Sequence, residues 1–249
     1  MYQLEIAVFT IQGALQAADA GADRLELCEN PADGGTTPSM GTLKQIREII
    51  SIPVFPIIRP RGGNFVYDTH EINVMKEDIL LCKQLGFEGV VFGVLDKEGN
   101  VDMEVTNSLT ALAHPMQVTF HRAFDRTVNP MQALADIITC GCSRILTSGQ
   151  YPNVMDGLTL ISDLIIAAEN KIIIMPGSGL NSKNILSILK QTKALEFHTA
   201  ARKKMINEGI FSPESMNEQL SFIGVDEEEV RAIKHILSIN KSRPQNYLT

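Results

Sequence analysis

Ionisable side chains alternate with apolar ones in several short, β-branched runs of the sequence. Glu26 lies two residues before Cys28, His121 ends a Val-Thr-Phe-His run, and Glu196 and His198 flank a phenylalanine. Residues two apart share one face of a strand, so the polar members of each run point the same way. Imidazole and carboxylate groups together are suited to general acid–base catalysis. The sequence therefore predicts Glu26, His121, Glu196 and His198 as candidate catalytic residues.

Arginine, hydroxyl and glycine residues follow the same runs and are suited to binding an anion. Guanidinium groups grip carboxylate or phosphate in a bidentate manner, and glycines allow the backbone to approach a ligand at a helix N-terminus. The candidate anion-binding residues are Arg59, Arg61, Arg122, Asp125, Ser148, Gly177, Ser178 and Gly179. Two alternatives stay open: Arg59 and Arg61 in a surface turn with incidental charge, and Arg122 with Asp125 as a salt bridge within a loop.

The runs that carry these residues alternate with amphipathic segments along the chain. The predicted strands are Gln3–Val8, Arg24–Cys28, Val54–Ile58, Gly89–Phe92, Gln117–His121, Arg144–Thr147, Lys171–Met175 and Leu195–His198. The predicted helices are Ile11–Ala20, Met40–Ile50, Glu71–Leu85, Glu104–Ala113, Pro130–Thr139, Met155–Ala168, Ser182–Lys190 and Glu227–Ser238. Eight strand–helix units favour one closed (β/α)8 TIM barrel of the α/β class over an open sheet.

In a barrel of this kind the two faces of each strand have different surroundings. The apolar face must pack on the surrounding helices, so the polar face points into the barrel, and active sites of this fold lie at the C-terminal ends of the strands. The predicted interior polar residues are Glu5, Arg24, Glu26, Arg59, Thr119, His121, Arg144, Glu196 and His198. For Glu5, Arg24 and Arg144 the alternative is a buried ionic network that only fixes the barrel layers.

Composition narrows the classes of partner and location. The 249 residues carry a formal net charge of −7 and no basic run, so neither nucleic acid nor a membrane surface is expected as a partner. The N-terminus does not read as a signal peptide, which predicts a cytoplasmic protein. We expect a single domain over residues 1–249, with a small extra helix or an interface in residues 203–225 and a frayed tail at 242–249.

As a set, the loop sequences resemble the copper homeostasis CutC family. The matching stretches, within roughly Gln3 to Ala201, are Glu26–Cys28, Gly34–Ser39, Ile58–Gly63, Val90–Gly93, Thr119–Asp125, Leu146–Gly149 and Pro176–Gly179. The resemblance implies a TIM barrel in the cytoplasm, a homodimer or higher homo-oligomer, and a role in copper handling.

Ligand chemistry limits what copper handling can mean here. Cu(I) favours thiolate and thioether ligands, and imidazole suits copper generally. Cys28 is the one cysteine expected near the mouth and is the candidate metal ligand, with copper as the possible cofactor; no clustered Cys or Met motif supports a high-affinity carrier. Two further readings stay open: an isomerase, epimerase or lyase acting on a small anionic or phosphorylated substrate, and a non-catalytic anion-binding module.

Overall fold

A computed structural model describes residues 2–206, 211, 213–216 and 220–240. Eight strands alternate with helices along the described chain. The strands are β1 Gln3–Val8, β2 Arg24–Leu27, β3 Val54–Pro56, β4 Gly89–Phe92, β5 Gln117–Phe120, β6 Arg144–Thr147, β7 Ile173–Pro176 and β8 Glu196–Thr199. The helices are α1 Ile11–Asp19, α2 Met40–Ile49, α3 Thr69–Gln84, α4 Met103–Ala113, α5 Pro130–Thr139, α6 Leu158–Ala168, α7 Ile185–Thr192 and α8 Glu227–Ile239.

The helices begin at capping residues that the sequence supplies. Thr10 accepts a hydrogen bond from the backbone of α1, and Asn129 caps α5 ahead of Pro130. Asp68 and Glu71 form a reciprocal capping box at the start of α3. Each cap gives an acceptor to backbone N–H groups that have no partner within the helix, which fixes where the helix starts and hence where the preceding loop ends.

The strands pair in parallel in the order β3-β2-β1-β8 and β4-β5-β6-β7. A parallel bridge between Ile57 and Val91 joins β3 to β4, so the two sheets continue into one another. At the other junction the Thr199 hydroxyl donates to the Leu180 carbonyl at 2.7 Å, linking the end of β8 to the loop after β7. Strand β8 pairs in parallel with β1, as the eighth and first strands do in a TIM barrel.

The two faces of the strands divide as their alternation predicts. Apolar side chains such as Leu4, Leu25 and Phe197 are fully buried in the core that the strands form with the helices. Every polar residue predicted for the interior is also buried. Among them Arg24 and Arg144 lie over Phe55, each guanidinium carbon 5.1 Å from the ring centroid.

Several predicted boundaries differ from the structure. Strand β7 starts at Ile173, two residues later than predicted, and α7 starts at Ile185, three residues later. A single 3₁₀ turn at Val154–Asp156 precedes α6, where one continuous helix was expected. The glycine at position 157, between the turn and α6, contributes no side-chain cap.

The segment after β8 forms an antiparallel ribbon of β9 Arg202–Ile206 and β10 Ser221–Val225. Among the described residues of this segment, a 3₁₀ turn at Glu214–Met216 lies between the two strands. The ribbon leads into α8, whose backbone begins where the Asp226 N–H donates to the Ala201 carbonyl at 2.7 Å. The predicted frayed tail, 242–249, lies outside the described residues.

Candidate active site

A cavity of about 1060 Å³ opens at the C-terminal ends of the strands. Its floor includes Glu26 from β2 and His198 from β8, with Cys28 and His121 just beyond the ends of β2 and β5. Loops after β1, β2, β3, β5, β7 and β8 form its walls. The position is the one in which barrels of this fold carry their active sites.

His198 and Glu26 form a buried ion pair at the floor. The imidazole Nε2 lies 2.9 Å from Glu26 Oε2 and 3.9 Å from Glu5 Oε1. Burial favours the neutral ring, but the hydrogen bond and charge of Glu26, with the charge of Glu5, outweigh it and raise the pKa of His198. Its Nδ1 is buried and has no hydrogen-bond partner among the described residues. The pair therefore holds a proton in place and presents Nδ1 as an unused donor.

His121 has the opposite electrostatic character. Burial, with a further contribution from the charge of Arg59, lowers its pKa to about 3, so the ring is neutral across the physiological range. Its Nδ1 accepts a hydrogen bond from the Ala123 backbone at 3.2 Å, which places the proton on Nε2. Within the described chain, Nε2 is buried and unpartnered. A neutral imidazole with a fixed N–H is suited to polarising a ligand oxygen.

Glycines leave room for both imidazoles. A Cβ at Gly93 would lie 2.6 Å from His121 Nδ1, and one at Gly177 would lie 3.1 Å from His198 Nδ1. Either contact is closer than a side chain tolerates without movement. The absence of side chains on neighbouring strand ends is thus part of how the two rings are positioned.

Glu196, the fourth predicted catalytic residue, lies deeper in the barrel and does not line the cavity. Its Oε2 accepts from Arg24 at 2.6 Å and from Arg144 at 3.1 Å. Arg24 also pairs with Glu5, whose pKa stays low because the arginine charges outweigh its burial. The alternating carboxylates and guanidinium groups form the layer beneath the cavity. This arrangement supports the alternative of an ionic network for Glu5, Arg24 and Arg144, and extends it to Glu196.

Cys28 lines the cavity but does not fit a copper centre. Its sulfur packs within an apolar cluster with Phe55, Ile57 and Val91. Burial, with the nearby carboxylate of Glu26, raises the pKa of the thiol well above its usual value, whereas Cu(I) binds the thiolate. In the portion of the chain that is described, no group of three or more His, Cys, Asp and Glu residues could hold a metal ion.

The two arginines after β3 have separate surroundings. Arg59 lines the cavity, and its guanidinium donates to the carbonyls of Asp33, Gly35 and Gly63 at 2.6 to 2.9 Å. These bonds hold the loops after β2 and β3 together and place a buried positive charge at the wall. Arg61 turns away from the cavity and pairs with Glu71.

The residues predicted around the β5 and β6 exits form a tightly bonded clamp. Asp125 accepts from the Thr147 hydroxyl at 2.5 Å, from the Ser148 hydroxyl at 2.9 Å and from the Arg122 guanidinium at 2.8 Å. Arg122 also donates to the Ser148 hydroxyl at 2.8 Å. Only Arg122 among these lines the cavity. The contacts match the alternative of a salt bridge that orders the loops.

The loop after β7 contributes Ser178 and Gly179 to the cavity wall, and Gly177 lies behind it. Ser178 and Gly179 have φ angles of 76° and 78°, a conformation that glycine adopts readily. The Ser178 hydroxyl donates to the Pro152 carbonyl at 2.8 Å. No hydrogen bond from the amides of Gly179 and Leu180 to another described residue is present. This short stretch of backbone is open to a ligand.

Sequence reasoning missed three cations and two aromatic rings of the wall: Arg126, Lys183, Arg202, Phe9 and Phe65. The guanidinium carbon of Arg202 lies 5.0 Å from the ring centroid of Phe9, and Phe65 lies 4.8 Å from the His121 ring. Position could have revealed Arg202 and Phe9, because each follows the end of a strand. Phe65 comes seven residues after the last predicted residue of its strand, too far for that signal.

No helix in the described part of the chain has the length and apolar character needed to cross a membrane. Comparison with proteins of known fold places the architecture among TIM barrels. Phosphoribosylanthranilate isomerase from Thermotoga maritima superimposes with a TM-score of 0.58 at 15% identity, covering 94% of this chain and 97% of that one. At this identity the likeness concerns the fold alone.

Closer relatives share both fold and sequence. The CutC protein of Streptococcus agalactiae, a solved structure, superimposes with a TM-score of 0.77 at 31% identity, over 80% of this chain and 99% of that one. The human copper homeostasis protein cutC homolog is 47% identical over 81% of this chain and 74% of its own length. A Photorhabdus laumondii family protein CutC is 44% identical over 96% of this chain and 98% of its own. With the CutC family model matching residues 2–203, the chain belongs to the CutC family.

Proposed function

We propose that this chain is an enzyme that moves a proton on a small anionic substrate bound in the barrel cavity. The observation that carries the proposal is the pair of buried, unpartnered imidazole nitrogens, His121 Nε2 and His198 Nδ1, both on residues that line the cavity. A buried polar atom without a partner is unfavourable, so a bound ligand that supplies acceptors would satisfy both. The reaction class is that of an isomerase, epimerase or lyase.

The two histidines have different roles in this proposal. The Glu26 carboxylate, which lines the cavity, accepts the proton from the carbon next to the substrate carbonyl, and the protonated His198 donates one from Nδ1 to the carbonyl oxygen. The Glu26–His198 pair thus loses one proton and gains one, and the reverse transfer at the other carbon completes the isomerisation. His121 stays neutral and donates a hydrogen bond from Nε2 to the oxygen on which negative charge develops. Arg59 and Arg202 supply positive charge at the wall for the substrate's anionic group.

A copper role is supported by the names of the relatives, which describe copper homeostasis. We propose that this chain takes part in the same process through chemistry on a small molecule. The surroundings of Cys28 argue against metal carriage as its mode of action, because the thiol is buried in apolar contacts and stays protonated.

Location and assembly complete the proposal. All four cysteines are free thiols, which supports a reducing compartment such as the cytoplasm. A homodimer or higher homo-oligomer is supported by exposed apolar side chains on the barrel surface, among them Ile166 and Leu195. The net charge of −7 favours small molecules over nucleic acid as partners.

The test is solvent deuterium exchange, followed by proton NMR over a panel of small hydroxy and keto acids with and without phosphate. Wild type should incorporate deuterium next to a carbonyl of at least one compound, and H198N and H121A should each slow this exchange at least about 100-fold. E169Q, an exposed carboxylate far from the cavity lining, is the matched control and should exchange as wild type does. Binding without exchange would instead establish the non-catalytic anion-binding module.

A further inference from the structure

The corner of the cavity between the β7 and β8 loops is already occupied by a carboxylate of the chain itself. In TIM barrels this corner is the usual phosphate site, formed by loop amides and a helix N-terminus. Here Glu229, from the first turn of α8, accepts from both the backbone amide and the hydroxyl of Ser182, the hydroxyl at 2.8 Å. Ser182 lies three residues before the start of α7.

The amides of Asn181 and Lys183, on either side of Ser182, are also engaged. Asn181 N–H donates to the Asn184 side-chain oxygen at 2.8 Å, and Lys183 N–H donates to the Asn181 side-chain oxygen at 3.0 Å. Asp226, which caps α8, adds a second carboxylate to the same part of the lining. A phosphate dianion placed in this corner would be repelled by these two carboxylates, which oppose the attraction of the Lys183 side chain and of the amides of Gly179 and Leu180.

Arg202, in contrast to these carboxylates, supplies a positive charge to the cavity lining. It lines the cavity with an exposed side chain, its guanidinium lies over Phe9, and no hydrogen bond or ion pair joins that side chain to a described residue. A guanidinium on an aromatic face keeps its N–H edge free for a planar, bidentate partner, which is the geometry of a carboxylate.

We infer that Glu229 is a specificity-determining residue that closes the β7–β8 corner to phosphate, so that the substrate's anionic group is a carboxylate bound by Arg202. The inference rests on the proposed function, because it names the substrate class of the same cavity. It narrows the sequence-based expectation of a small anionic or phosphorylated substrate to one that carries a carboxylate.

The experiment measures binding alone, by calorimetric titration with inorganic phosphate and, separately, with glycolate. E229Q keeps the side-chain shape and an oxygen for Ser182 but removes the charge, and should bind phosphate at least tenfold more tightly than wild type. E228Q removes the same charge from the same helix turn at an exposed position outside the lining, and should match wild type. R202Q should weaken glycolate binding at least fivefold, while E228Q leaves it unchanged.

Three results would overturn the inference: phosphate binding by wild type as tight as by E229Q, an equal gain in E228Q, or glycolate binding that R202Q does not weaken. Thermal unfolding of each variant checks that the fold is retained. Since no turnover is required, a failure of deuterium exchange leaves these binding results standing. Conversely, deuterium exchange that wild type catalyses on phosphorylated compounds would contradict this inference but support the proposed function.

Discussion

At the scale of single residues, the two histidines show how one cavity can hold two opposite protonation states. His121 is desolvated next to Arg59, and His198 is desolvated next to Glu26. Both rings are buried, so the sign of the neighbouring charge decides which form each one adopts. The surroundings of His121 therefore favour a neutral hydrogen-bond donor, and those of His198 favour a charged one.

Titration by proton and nitrogen NMR should separate the two rings. His198 should titrate above the usual histidine range, and E26Q should lower its pKa because the favourable charge and hydrogen bond to Nε2 are lost. His121 should remain neutral, with its proton on Nε2, down to about pH 4. The exposed Glu169 offers the control variant E169Q, which should move neither ring. Titration of His121 near pH 6.5 would contradict its assignment as a neutral donor.

The same two shifts give opposite dependences of stability on pH. A raised folded-state pKa means that His198 stabilises the protein below the unfolded value near 6.5, a contribution lost as pH rises through the folded-state pKa. A lowered pKa means that His121 destabilises the folded protein as pH falls from about 6.5 towards 3, by about 1.4 kcal/mol per pH unit. H121N should therefore lose less unfolding free energy than wild type between pH 6.5 and 4, measured by urea unfolding.

At the scale of strands and helices, glycines at strand ends decide where large side chains can lie. Gly89 on β4 leaves room for Phe55, because a Cβ there would lie 2.4 Å from the ring. Gly93, just beyond the same strand, leaves room for His121. The strands thus form the cavity partly through glycine positions, where the lack of a side chain leaves space for a neighbouring ring.

Substitution of Gly93 tests this positioning directly. In G93A the new Cβ would lie 2.6 Å from His121 Nδ1 and 2.9 Å from the Ala123 side chain. The ring must move, so deuterium exchange should fall at least about tenfold and the free energy of unfolding by about 1–3 kcal/mol. G41A in α2, whose nearest contact would be Ser39 Oγ at 3.8 Å, should leave exchange unchanged and preserve or slightly raise stability.

The ionic layer under the cavity should contribute to stability more than to chemistry. E196Q removes the charge that Arg24 and Arg144 share, and should lower the free energy of unfolding by about 3–5 kcal/mol, measured by chemical denaturation. E169Q breaks only an exposed pair with Lys171 and should leave stability nearly unchanged. A stable E196Q with full loss of exchange would return Glu196 to the catalytic group.

The pattern of the sequence was sufficient for the barrel elements and for the residues on their inner faces. Alternation in Arg24–Leu27 and Glu196–Thr199 is a local property, so it predicts which side chains point inward. What it could not predict was partner choice. Glu196 and His198 lie on the same face of β8, yet Glu196 pairs with arginines in the barrel interior and His198 pairs with Glu26 at the cavity floor. The register between β8 and its neighbours decides which side chains lie at the same height in the barrel.

Contacts between distant loops were equally outside the reach of local pattern. Arg61 and Arg59 stand two residues apart in one arginine-rich loop, but only Arg59 faces the cavity, since Glu71 at the start of α3 draws Arg61 away. Glu229 reaches Ser182 from 47 positions along the chain. The ribbon of β9 and β10 places α8 beside the loop after β7. Its sequence has no helical or strand periodicity strong enough to predict that contact.

At the scale of the whole molecule, the copper question concerns all four thiols together. Cys28 lines the cavity, Cys82 lies in α3, and Cys140 and Cys142 flank the turn between α5 and β6. Burial raises the pKa of each thiol, to about 12 for Cys82 and Cys142. A metal must displace the proton before it can bind, and a raised pKa makes that displacement harder.

Cu(I) titration of the reduced protein against a competing chelator should therefore show weak binding that does not depend on Cys28. Wild type and C28A should retain the same small amount of copper, because the Cys28 thiol is protonated and packed against Gly35 and Ile57. C82A provides the control for loss of a buried thiol remote from the cavity. One tightly held equivalent in wild type and C82A that C28A lacks would make Cys28 a true ligand. It would then place metal binding and proton transfer in the same cavity, where occupancy by copper would compete with the substrate for the space beside Glu26.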